Sequence, residues 1–244
     1  MGGVTACEEE EPVPTEADRI VQTTSDIPDV HLYCDDWCDY CPVTARCVAL
    51  RIRSKWEAKR RPGSPMTMDE MVAFTREVAA VTGRPTPGLD ALLAGDPDGE
   101  FQAAAADRWL VAAANQYAAG AGFLLRRMGW NKPATQGLSH PPTPLDVIAW
   151  YHLFIAARAG RALVAAARAD RGISGEREDA EGSAKITLMS IDRSRAALDK
   201  LAGGRHEKVV RILRGLLDTL ADGLEARVPG ARAYMRAGLD APVV

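Results

Sequence analysis

The sequence predicts an all-α protein, an antiparallel bundle of about four long helices preceded by a cysteine-rich metal-binding segment. Three observations predict it. Alanine supplies much of the apolar content while aromatics make up only 6% of 244 residues, a composition that suits close-packed helices better than β-layers. Strand-like alternation is nearly absent. Helix start and stop signals instead recur at long intervals along the chain.

The elements follow in order. Residues 1–29 carry Glu8, Glu9, Glu10, Glu11, Glu16, Asp18, Asp26 and Asp29 against Arg19, with three prolines and few large apolar groups. Such a stretch does not bury enough surface to offset chain entropy, so it reads as a disordered acidic tail. Residues 30–62 form the cysteine-rich segment and a basic helix, with the helix expected from Val43 to about Arg60 and Cys47 in its first turns. Pro62, Gly63 and Pro65 end it. Residues 63–244 form the bundle domain. Its first helix runs from Met68 to about Val81 behind a Thr67-x-x-Glu70 capping box. Gly83, Pro85, Pro87 and Gly88 break the chain before a long alanine-rich helix from about Glu100 to Met128. Thr143, Pro144 and Asp146 then combine a capping hydroxyl, a proline at the first helical position and an acid at the positive helix end, and that helix reaches Asp170. Two more follow, from about Gly175 to Leu201 and from about His206 to Arg227.

Charge and hydropathy exclude some roles. The net charge of −3 conceals a tail of −7 and a remainder of +4, so net charge does not demand a nucleic-acid partner. The start of the chain has no basic-then-apolar leader, and the longest apolar runs are interrupted by Asn115 and Gln116, or by Asp146 and His152. A cytoplasmic protein with no membrane partner is expected. Phosphate-cradling, dinucleotide-binding and nucleophile-elbow glycine motifs are missing, which lowers nucleotide-dependent and hydrolase chemistries.

The chemistry concentrates in CDDWCDYCPVTARC, where Cys34, Cys38, Cys41 and Cys47 have the spacing Cys-x3-Cys-x2-Cys-x5-Cys. Four thiols this close in sequence can converge on a small inorganic cage without long-range folding. Structural zinc sites more often join two knuckles across a longer stretch, so an iron–sulfur cluster is favoured, zinc is the alternative, and redox disulfides are a third possibility. Cys7, in the tail, is a bystander.

Two resemblances sharpen this. Cys34-x3-Cys38-x-Tyr40-Cys41 resembles the radical S-adenosylmethionine signature, which implies three cysteines on a four-iron cluster. Cys38-x2-Cys41-Pro42-x4-Cys47 is similar to the three-cysteine iron–sulfur staple of RecB-type nucleases and their CRISPR-associated relatives. Each covers about ten residues. The first family also needs a partial α/β barrel, and the second a small sheet bearing an acidic metal site, whereas this chain reads as helices. Beyond these motifs the chain resembles bacterial proteins of unassigned function.

Around the cysteines, Tyr33, Trp37 and Tyr40 are expected as an apolar lid. Arg46, Arg51, Arg53, Lys55, Lys59, Arg60 and Arg61, with Trp56 among them, form a solvated basic face, a set of cations that tunes the cluster, or a surface for nucleic acid or an acidic redox partner. In the bundle, Ala184, Leu188, Ile191 and Leu198 mark a core stripe beside Glu178, Glu181, Lys185 and Asp192, and Arg158, Arg161 and Arg168 share one face of the preceding helix. These charged faces are either surface pairs or, if they meet, a buried ionic network or the lining of a pocket. No paired Glu-x-x-His element for a di-iron site occurs, His152 reads as a core histidine, and His206-Glu207 lacks a second histidine. Three functions remain open: an iron–sulfur protein for electron transfer or redox sensing, a zinc-stabilised adaptor, and an enzyme using His152, Glu181 or Lys185 in a pocket between helices.

Overall fold

Six α-helices and four short 3-10 turns account for the regular structure of the described residues, and no strand occurs among them. The structure, a computed structural model, describes residues 25–27, 30, 32–60, 67–83, 104–131, 141–236 and 238–240. Most of the expected acidic tail, and the stretch from Pro85 to Gly88 expected to break the chain, lie outside these residues. By internal contacts the chain divides into two compact units, one of Met1–Asp26 with Val48–Pro85 and one of Ile27–Cys47 with Thr86–Val244. The four cysteines and the basic helix that follows them therefore belong to different units.

The first unit contains α1 (Val48–Ala58) and α2 (Met68–Thr82), which pack together. Thr67 accepts from the Glu70 N–H and Glu70 reaches back to the Thr67 N–H at 2.7 Å, so the reciprocal cap is complete. Gly83, at φ +69°, closes the helix in the left-handed conformation that only glycine adopts cheaply. Trp56 meets Phe74 edge-on at 6.5 Å and donates its indole N–H to Glu77 at 2.6 Å.

Helix α1 starts later than expected. Thr44–Arg46 form a separate 3-10 turn, and Cys47 follows it in extended backbone, outside the helix. The Arg46 carbonyl accepts the Ile27 N–H at 3.0 Å, which holds it away from the helical ladder and moves the helix start to Val48.

In the second unit the long helices are α3 (Arg108–Arg127), α4 (Pro144–Asp170), α5 (Glu176–Asp199) and α6 (Glu207–Arg227). Helix α4 packs on α3, α5 and α6, and α3 and α5 also pack on α6. Leu110, Tyr117 and Leu124 from α3 join Ile148, Tyr151 and Ile155 from α4 in one buried cluster, with Leu188 and Ile191 from α5 and Leu213 and Leu217 from α6. Spacings of three, four and seven residues bring these side chains to one face of each helix.

The starts of these helices show how local and tertiary signals divide the work. Thr143 and Asp146 form a complete capping box with Pro144 behind the cap. Asp146 also accepts the Trp130 indole N–H at 3.0 Å, which ties the start of the preceding loop to the cap. Helix α3 begins at Arg108 rather than near Glu100, behind a 3-10 turn at Ala105–Asp107. Asp107 gives no cap there because its carboxylate is engaged by Arg227 at 2.8 Å.

One expectation about hydropathy changes. Helix α4 holds an 18-residue window of mean hydropathy 1.2, long and apolar enough by length and composition to cross a membrane. Alanines among Ile148, Tyr151, Ile155 and Leu163 raise that mean; these four are fully buried, whereas only 33% of the window as a whole is buried and Trp150 and Leu153 are exposed.

Candidate functional site

The cysteine segment folds locally through short turns. Asp35 accepts the Trp37 N–H on its side chain at 3.3 Å, an Asx turn, and Asp36 takes φ +54°, a conformation that a short polar side chain tolerates. The chain then makes a 3-10 turn at Cys38–Tyr40, closed by the Cys41 N–H on the Cys38 carbonyl at 3.1 Å. Cys38 and Cys41 thus bracket one turn, and Cys47 follows the next.

Long-range polar contacts fasten this segment to α4 and α5. The Asp35 carboxylate accepts the Tyr151 hydroxyl at 2.8 Å and is ion-paired to Arg193, whose guanidinium also bonds the Tyr151 oxygen. The Asp35 backbone carbonyl accepts the Trp150 indole N–H at 2.9 Å. Farther along α4, Arg158 donates to the Leu32 carbonyl at 3.0 Å and meets Asp36 at 3.5 Å. Burial, and after it the Asp35 charge, push the Tyr151 hydroxyl above its usual range, so Tyr151 stays protonated and works as a donor.

The aromatic residues of the segment serve the same attachment. Trp37 stacks on Trp150 at 5.4 Å with an interplanar angle of 12°, and meets Tyr151 and Tyr40 edge-on at 5.6 and 4.9 Å. Tyr33 packs edge-on against Tyr234 at 5.1 Å. Trp37 and Tyr33 are buried against the helical body and anchor the segment to it; Tyr40 alone of the three is exposed.

None of Cys34, Cys38, Cys41 and Cys47 forms a disulfide, and each is half-buried. The Cys34 thiol donates to Asp36 at 3.4 Å, and burial, followed by the Asp36 charge, pushes it well above its ordinary range. Cys34 and Cys41 share the wall of a cavity of about 490 Å³ that Cys38 and Cys47 do not line. Among the described residues no group of three or more His, Cys, Asp or Glu is placed to hold a metal ion. The donor set matches a thiolate cluster in kind and number, and its described arrangement does not converge on one.

The cavity has three walls. The cysteine segment contributes Trp37 and Tyr40 beside the two thiols, the start of α4 contributes Pro144, Val147 and Tyr151, and α5 contributes Arg193, Ala196, Ala197 and Lys200. Arg236 and Leu239 reach it from the chain's last described residues. Arg236 is held by Asp240 through two nitrogens at 2.9 and 2.7 Å and donates to the Tyr33 carbonyl at 3.5 Å, so its guanidinium is a structural brace.

The other residues singled out in the sequence are distributed elsewhere. His152, Glu181 and Lys185 do not line the cavity. His152 Nδ1 bonds the Ala149 carbonyl of its own helix at 2.8 Å, Glu181 lies over Gly230, and Lys185 donates to the Arg232 carbonyl at 2.7 Å. Of the arginine face of α4, Arg161 pairs with Asp179 at 2.6 Å and Arg168 with Glu176 at 2.8 Å, so these charges fasten the first turn of α5 rather than line a pocket. On α1, Arg51 is bidentate to Asp26, Lys55 pairs with Glu77 at 3.0 Å and Arg60 with Glu70 at 3.2 Å. Much of the basic patch is thus neutralised within its own unit, and Arg61 lies outside the described residues.

Sequence reasoning missed Asp35, Tyr151 and Arg193. Asp35 lies more than a hundred residues from both Tyr151 and Arg193 in the chain, and the acids between the cysteines read as spacers of the motif. The available signal was the Asp35-Asp36 pair immediately before a large aromatic, a polar turn that needed donors from elsewhere. No protein-family model, curated protein or solved structure matches this chain, so its cysteine segment and the adjoining cavity are understood from their own chemistry.

Proposed function

We propose that this chain is a cytoplasmic iron–sulfur protein for electron transfer or redox sensing, with Cys34, Cys38, Cys41 and Cys47 as ligands of a cluster of the four-iron type. The donor set carries the reading: four thiols, none in a disulfide, within one fourteen-residue segment. The local structure is compatible with closure around a cluster, because Cys38, Cys41 and Cys47 sit at the ends of two 3-10 turns, which are short and weakly bonded and change conformation cheaply. Metal ligation and the folding of such a segment are coupled, so the sulfurs are drawn together as the ligands bind. The proposal treats α3 to α6 as an antiparallel bundle, supported by their packing and by the short connections from α4 to α5 and from α5 to α6. A redox protein is the expected partner. Nucleic acid at α1 is less favoured, because Asp26, Glu70 and Glu77 already occupy its cations.

Metal analysis of anaerobically purified protein, joined to electron paramagnetic resonance of its reduced form, tests this. A brown protein containing iron and inorganic sulfide, and losing both in Cys38→Ala and Cys41→Ala, is the expected result. A colourless protein holding one zinc, with Cys38→Ala releasing it, would replace the reading with a zinc-stabilised adaptor. Absence of both metals after reconstitution would end it.

The cavity favours a second reading, an enzyme or binding protein with a pocket beside the cysteine segment, because its volume falls within the range of small-molecule sites.

A further inference from the structure

Helix α5 and its C-cap residue Lys200, still in right-handed helical conformation, present Arg193, Ala196, Ala197 and Lys200 to the cavity at intervals of three, four and seven residues, which is one face of an α-helix. Two cations therefore stand roughly 10 Å apart along the axis with two small side chains between them. The alanines leave a shallow apolar floor, and Trp37, Tyr40 and Val147 line the same cavity. Aromatic rings and small side chains in one lining suit a flat apolar body.

The charges of the walls are unequally committed. Asp35 is engaged by Tyr151 and Arg193, and Arg236 by Asp240 and the Tyr33 carbonyl. Arg193 bonds Asp35 and Tyr151 through Nη1, which leaves Nε and Nη2 directed to neither, and its side chain is 47% exposed. Lys200, exposed at the end of α5, takes part in none of the ion pairs that link the walls. Two cations with spare donors thus flank an apolar floor, and the wall's acid is already neutralised.

We propose that this cavity binds a small organic anion with a flat apolar body, the body lying over Ala196 and Ala197 and the anionic group taken by Lys200 and Arg193. Charge-assisted bonds from ammonium and guanidinium orient the ligand, and apolar burial supplies most of the affinity. The site stands on the cavity alone and is independent of any metal at the cysteines.

Isothermal titration of the full chain with naphthoate, with naphthamide as its neutral counterpart, tests the proposal. One saturable site for naphthoate is expected, with naphthamide at least about tenfold weaker. Lys200→Gln should weaken naphthoate about tenfold and leave naphthamide unchanged. Ala196→Trp, at an exposed position on the floor, should abolish binding of both by covering that floor. Arg193→Gln also loosens the hold on Asp35, so Lys200→Gln and Ala196→Trp decide the matter. Absence of saturable naphthoate binding, equal affinity for both probes, or unaltered binding in either deciding variant would each overturn it. Cys38 lies off the cavity wall, so Cys38→Ala should keep naphthoate binding whatever becomes of the metal content; loss of binding there would tie the site to the cluster and refute its independence.

Discussion

The ring of Tyr33 lies directly on the backbone of Gly182: a methyl group at position 182 would stand 2.4 Å from two of the ring carbons. Position 182 is inside α5, in its second turn, where glycine weakens the helix, so its presence there is explained by the close approach of the ring. Gly182→Ala should gain helix propensity and lose more through displacement of Tyr33, for a net destabilisation of about 1–3 kcal/mol. Urea unfolding measures it. Combining Gly182→Ala with Tyr33→Ala should relieve the clash, and the interaction between the two sites is read from the double-mutant cycle.

Asp35 joins the cysteine segment to two helices at once. Asp35→Ala would leave the Tyr151 hydroxyl and the Arg193 guanidinium without their shared acceptor, and should cost about 1–3 kcal/mol. Because Trp37 stacks on Trp150 next to this contact, the variant should also change the tryptophan emission and near-ultraviolet circular dichroism. An unchanged spectrum with unchanged stability would show that the segment is held by other means.

The cap of α4 gives a graded series. Thr143→Ala should cost about 1 kcal/mol, the usual value for a capping hydroxyl. Asp146→Ala should cost more, because the same carboxylate accepts the Thr143 N–H, the Thr143 hydroxyl and the Trp130 indole. Thermal unfolding orders the two variants.

Acid should weaken the brace at the end of the chain. Hydrogen bonds from Arg236 hold the Asp240 carboxyl below the usual carboxylate range. The folded state therefore binds this proton less readily than the unfolded chain, so the stability is present above the unfolded value, about pH 4, and is lost as the pH falls through the folded value. The stability difference between the natural chain and Asp240→Asn should be greatest near neutrality and shrink at about pH 3. A difference that grew on acidification would refute the assignment.

The helical class and most helix ends were legible because local chemistry sets them. Thr67 with Glu70, Thr143 with Asp146, and Gly83 act within a few residues, so their effects are written in adjacent letters. The core stripe Ala184, Leu188, Ile191 and Leu198 was legible for the same reason, and all four are buried. Where tertiary contacts decided, reading failed. Helix α1 starts after Cys47 because a distant N–H captures the Arg46 carbonyl, and α3 starts late because Arg227 takes the Asp107 carboxylate. The cysteines were visible as a pattern, whereas the acid, phenol and guanidinium that fix the segment to the helices were not. Nothing local distinguishes Tyr151 or Arg193 from other residues on an amphipathic helix.

The hydrogen bond from Ile27 to Arg46 acts as a clasp. It joins the ends of the stretch that contains Cys34, Cys38 and Cys41, and leaves Cys47 at the hinge beside it. Closing a loop of this length costs entropy that grows only logarithmically with its size, and here a backbone contact meets that cost. Three of the thiols thereby lie inside one closed loop and the fourth one residue beyond its end, so ligation of all four, as proposed, would have only a short, already closed stretch to order.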